Sequence, residues 1–130
     1  MALFDRLMAA LGMMAQVSVI PAGMERTKLR SWMLHRLIDE KTQNGLDDAG
    51  WERMRRNIDR LRPVTFGELF NQCLDRWSGI VERRDTRELH RVLVDVSQDG
   101  ITMREVSPMA GLLTEGERLG VLSQLRRVTQ

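Results

Sequence analysis

Apolar positions recur at helical spacing along most of the chain. Trp51, Met54, Ile58 and Leu61 fall at i, i+3, i+7 and i+10, one face of a helix. Asp47 or Asp48 is placed to cap it and Pro63 to end it. Leu29, Met33 and Leu37, with Trp32 beside them, predict a helix over 24–43 that Asn44-Gly45 stops. Phe4, Leu7, Met8, Leu11 and Met14 make an a/d-like stripe in a helix over 2–15, which Pro21 and Gly23 separate from the next. Thr65 is positioned to cap a helix over 66–77, and a further helix runs from Gly100 towards Pro108. The last begins at Thr114, where Thr114-Glu115-Gly116-Glu117 spells a capping box, and carries Val121, Leu122, Leu125 and Val128 as its apolar stripe.

The segment 79–100 breaks this pattern. Val92, Val94 and Val96 alternate with period two, the mark of a half-buried strand. Gly79-Ile80-Val81 precedes them, and Arg83, Arg84, Arg87 and Arg91 lie between. Two short strands around an arginine-rich tip predict a basic β-hairpin, a shape that lays cations along a nucleic-acid backbone. The same residues also fit a helix: Leu89, Val92, Leu93 and Val96 stand at i, i+3, i+4 and i+7, with Asp85 and Glu88 as its capping box. The β-branched concentration at 92, 94 and 96 favours the hairpin. Asp95, Ser97, Asp99, Gly100 and Glu105 faintly suggest a calcium loop. Both the isoleucine and the glutamate arrive one residue early, so the oxygen cage cannot close, and no metal is expected.

Composition narrows the class. The chain has 130 residues, 42% hydrophobic and 29% charged, with a net charge of +2, which describes one globular domain. Its positive charge is nearly all arginine, lysine standing only at 28 and 41. A single cysteine, Cys73, permits no intrachain disulfide and suits a reducing cytoplasm; beside Phe70 and Leu74 it is expected as a small buried hydrophobe. His35 and His90 have no partners at metal-ligand spacing. The apolar start lacks the basic flank and cleavage site of a signal peptide and is too short to span a bilayer. No nucleophile–base pair, carboxylate pair or phosphate-cradling loop is visible, so neither catalysis nor a cofactor is expected.

Two stretches resemble the MarR-type winged-helix transcription regulators. The first runs from Gly45-Leu46-Asp47-Asp48-Ala49-Gly50-Trp51 through Ile58 and Leu61 to Pro63-Val64-Thr65-Phe66-Gly67-Glu68-Leu69. The second is Gly79 to Arg84, then Asp85, Arg87, Glu88 and Arg91, then Val94, Val96, Ser97 and Gly100. The tail Leu113 to Arg118 is similar to that family's final dimerisation helix, and the likeness extends over 24–128. It implies a mainly α fold with a small β-hairpin wing. A winged-helix-like part over 44–100 is then flanked by helical dimerisation parts over 1–43 and 101–130. One departure stands out. The stretch from Thr65 to Ser78 is only 14 residues long, whereas a support helix, turn and recognition helix need about 20 or more.

The resemblance implies a dimeric DNA-binding regulator whose duplex contact comes mainly through the wing, with weak sequence choice and a small aromatic ligand as effector. Thr65, Asn71, Gln72 and Arg76 are then the candidates at the duplex, with Arg83, Arg84, Arg87 and Arg91 in the wing. Phe4, Leu7, Met8, Leu11, Met14, Val121, Leu125 and Val128 are the expected homodimer interface. The alternative is a degenerate relative that pairs with another protein and reads no DNA sequence.

Overall fold

A computed structural model describes residues 20–129, and among these residues the regular structure is entirely helical. Six α-helices follow one another: α1 Arg26–Lys41, α2 Asp48–Leu61, α3 Glu68–Arg83, α4 Thr86–Val94, α5 Gln98–Glu105 and α6 Glu115–Val128. A 3-10 turn, Arg62–Val64, follows α2. The helix predicted over 2–15 lies outside the described residues.

The β-hairpin wing does not form. Ile80 and Val81 belong to the last turns of α3, and both are buried. Arg84 takes the left-handed conformation (φ 47°) and ends that helix, while the Asp85 N–H reaches back to the Ile80 carbonyl at 2.9 Å. Asp85 then caps α4, its carboxylate accepting the Glu88 N–H at 3.1 Å. Leu89, Val92 and Leu93 are buried while Val96 lies beyond the helix and is exposed. Burying three residues on one helical stripe outweighs a strand propensity whose whole range is about 1 kcal/mol. The chain is therefore all-helical over the described residues rather than winged.

The α2 and α6 starts follow the sequence. Asp47 caps α2 through the Gly50 N–H at 2.8 Å. Thr114 and Glu117 form the reciprocal capping box of α6. Thr65 does not cap α3: its hydroxyl donates to the Leu61 carbonyl at 2.7 Å, and Gly67, at φ 91°, occupies the cap. Residues 65–78 hold one helix, which continues to Arg83.

The core has two parts. The larger gathers Trp51, Met54 and Ile58 of α2, Leu74, Trp77 and Ile80 of α3, Leu89 and Leu93 of α4, and Met103 of α5. Trp77 is fully buried, and its indole N–H donates to the Met103 carbonyl at 2.8 Å, which satisfies its one polar group. The smaller part packs Leu29, Trp32, Met33 and Leu37 of α1 against Val121 and Leu125 of α6. Helix α1 serves both, since Ile38 faces the larger cluster and the Trp32 indole donates to the Val94 carbonyl of α4.

The segment 106–113 links α5 to α6 and is held by side chains. Asn57 donates both amide hydrogens to it, at 2.8 Å to Pro108 and 3.0 Å to Ala110. Lys41 reaches the Leu112 carbonyl at 2.9 Å and the Glu117 carboxylate at 2.8 Å.

Candidate interaction surface

The arginines assigned to a DNA-binding wing are distributed over α3 and α4, and most face carboxylates. Arg84 pairs with Asp48, and Arg91 with both Glu88 and Asp95. Arg83 stands 3.9 Å from Asp85. Arg87 is exposed and carries no ion pair among the described residues. Four arginines thus share their surface with Asp48, Asp85, Glu88 and Asp95, a near-neutral mosaic rather than a cationic stripe. The Glu88 carboxyl is held below its usual range by hydrogen bonding to Arg91.

The α3 candidates are likewise engaged. Arg76 grips Asp99 bidentately, at 2.8 and 2.9 Å, and that hydrogen bonding holds the Asp99 carboxyl below its usual range. Gln72 donates to Glu68 at 3.2 Å. Asn71 donates to the Thr65 and Gly67 carbonyls at 3.2 and 2.9 Å. Of the stripe assigned to a dimer interface, Val121 and Leu125 are buried against α1 of the same chain and Val128 is partly buried beside them. Phe4, Leu7, Met8, Leu11 and Met14 lie outside the described residues.

Asn71 and Thr65 instead build something the sequence did not announce. Their hydrogen bonds fix the 64–67 corner between α2 and α3. On that corner and the following turn Val64 is 64% exposed, Phe66 81% and Leu69 58%. Single exposed apolar residues are ordinary, but here three large ones fall within six positions on backbone held at both ends, an exposed apolar knuckle of the chain. Pro63 and Gly67 mark the corner in the sequence. Phe70, next along α3, is by contrast partly buried against the larger core.

The interior holds two further groups of chemical interest. His35 is buried on α1; its Nδ1 donates to the Ser31 carbonyl at 2.6 Å, and its Nε2 lies 2.7 Å from the Ser107 hydroxyl. Ser107 in turn accepts the Met109 N–H at 3.2 Å. Burial pushes the imidazole from 6.5 down to about 4, so it is neutral near pH 7, with Nε2 free to accept. This Ser–His pair latches the 106–113 segment to α1, beside a mostly apolar cavity of about 260 Å³ lined by Leu34, Ile38, Met109 and Leu113. Cys73 is buried, and burial pushes its thiol up, away from the reactive thiolate. Asp99, of the suggested calcium loop, is committed to Arg76, and the Asp95 carboxylate accepts the Ser97 N–H at 2.9 Å.

No described helix is long and apolar enough to cross a membrane. No family model, curated protein or solved structure matches the chain.

Proposed function

We propose that this chain is a helical protein-binding module whose contact centre is the Val64–Phe66–Leu69 knuckle. The observation that carries this reading is an 81%-exposed phenylalanine on a corner braced by Thr65 and Asn71. A backbone already held in place has little conformational entropy left to lose on docking. Burying a Phe, Leu or Val side chain contributes about 1.5–3 kcal/mol, so the knuckle supplies the apolar centre of a small interface. An exposed apolar ring of this size calls for a partner with an apolar pocket.

The charge pattern favours a protein partner over a duplex. Binding to DNA draws on release of counterions by free cations, whereas Arg76, Arg84 and Arg91 would first have to leave carboxylates of their own chain.

The test is site-directed photocrosslinking of the full chain in its host cells, with a benzophenone side chain at position 66. One discrete adduct is expected there and none at Leu119, an exposed apolar residue on α6. Phe66→Ser should leave the melting temperature unchanged and, by losing about 2 kcal/mol of burial, weaken the complex at least tenfold. No adduct, or an indiscriminate ladder at both positions, would refute the reading. An adduct of twice the chain mass would replace the foreign partner with a second copy.

A further inference from the structure

The charges of α2 are sorted by side. Glu52 and Asp59 are both taken by Arg55, at 2.5 and 3.1 Å. Arg53 and Arg56, three residues apart and so neighbours on the helix surface, are exposed and make no hydrogen bond or ion pair among the described residues. Both line a cavity of about 460 Å³ between α2, the end of α1 and the 106–113 segment. Small-molecule sites fall in a range of roughly 300–1,000 Å³.

The Arg53 head group is at the wall of this cavity. A Cβ added at Gly111, which lines it too, would stand 2.4 Å from Arg53 Nη1. Bare backbone at Gly111, with φ at 86°, lets the guanidinium lie against the segment. The other charged groups of the lining are committed. Lys41 holds Glu117 and the Leu112 carbonyl, and one Asp47 oxygen accepts the Gly50 N–H. With Lys41 and Glu117 counted as neutral, two arginines face one carboxylate, so the cavity is net positive. Leu46 and Leu112 give it an apolar side.

Two unbonded guanidinium forks call for an acid with oxygens and charge for both. A phosphate monoester carries about −1.5 to −2 charges at pH 7 and three acceptor oxygens. A carboxylate has a single charge and is satisfied bidentately by one arginine.

We infer that this cavity binds a small phosphate monoester, its phosphoryl group shared by Arg53 and Arg56 and its organic part against Leu46 and Leu112. The site is separate from the Val64–Phe66–Leu69 knuckle and does not rest on it.

The test is amide NMR of the whole chain titrated with phenyl phosphate, against sodium chloride of equal ionic strength. Saturable shifts are expected at Gly45 and Gly111, with a half-point in the low millimolar range. Arg53→Gln and Arg56→Gln should each weaken binding about fivefold, between the scale of an exposed ion pair and that of a charge-assisted hydrogen bond. Neither side chain is bonded within the fold, so the melting temperature should not move. Arg87→Gln removes the same charge outside the cavity and should leave the affinity unchanged. Benzoate and dimethyl phosphate, both monoanions, should bind several-fold more weakly than phenyl phosphate. Equal binding by benzoate or by the diester would overturn the monoester assignment. An N-acetyl phosphotyrosine amide that binds much more tightly than phenyl phosphate would replace the small molecule with a phosphorylated partner chain. Shifts that never saturate, or that respond to Arg87→Gln as they do to the two α2 variants, would overturn the site itself.

Discussion

Acidification should unfold this protein earlier than its carboxylates alone dictate, and His35 is the reason. The unfolded imidazole titrates near 6.5 and the folded one near 4. Its folded pKa is depressed, so the unfolded state binds the proton first. The stability is therefore present in full above pH 6.5 and lost as the pH falls from 6.5 towards 4. A displacement from 6.5 to about 4, at 1.36 kcal/mol per unit, amounts to about 3 kcal/mol. That is a large fraction of a typical domain stability of roughly 5–15 kcal/mol. Protonation also disrupts the latch. A proton on Nε2 turns it from acceptor to donor, so the Ser107 hydroxyl can no longer donate to it. The assay is urea unfolding of the wild type and His35→Gln across this pH window. The wild type should lose stability steeply and the variant, less stable at neutral pH, should show a much flatter slope. His90 is present in both proteins, so the difference in slope isolates His35. Parallel slopes, or an imidazole of His35 that titrates near 6.5 by NMR, would refute the reasoning.

Three further substitutions test the packing. Gly100→Ala should destabilise by about 2 kcal/mol, because a Cβ there would stand 2.4 Å from the Asp95 carbonyl, and the urea midpoint reports it. Asn57→Leu should cost about 2–3 kcal/mol, since the buried Pro108 and Ala110 carbonyls lose their shared donor; a change in hydrogen-exchange protection should centre on residues 106–113. Thr114→Ala should cost about 1 kcal/mol by opening the capping box, visible as faster amide exchange in the first turn of α6.

Where a fold signal was local, the sequence carried it. Asp47, Thr114 and Glu117 announce helix starts because a cap needs only one side chain and a backbone N–H three residues on. Residues 79–100 were legible in both of two readings, and the choice between them is tertiary. Val92 and Val96 satisfy a strand period and a helix stripe alike, and burial of Leu89 and Leu93 in the larger core decides for the helix. Gly79 resembles the entrance to a turn, yet it lies inside α3 with the Arg83 side chain folded across it. The candidate sites and the burial of single side chains were less legible still. Arg104 sits in Met103-Arg104-Glu105, where nothing local separates it from a solvated arginine, yet it is buried and donates to the Val92 and Asp95 carbonyls at the end of α4. Phe66 looks like any apolar residue at a helix start, and its sequence does not say that it stays exposed while Phe70 packs against the larger core.

The division of the core bears on how the chain tolerates change. Helix α6 meets the rest of the protein chiefly through α1, and Leu113 packs against both clusters. Substitutions among Val121, Leu125 and their α1 partners should therefore couple to one another and stay nearly additive with substitutions around Trp77. The stripe of α6 is free to drift in step with Leu29, Met33 and Leu37 while the larger cluster stays fixed. Leu113 and the latch at His35 are the points where such drift becomes audible to the other half, so the two packing neighbourhoods can diversify at different rates provided those hinges keep their size and polarity.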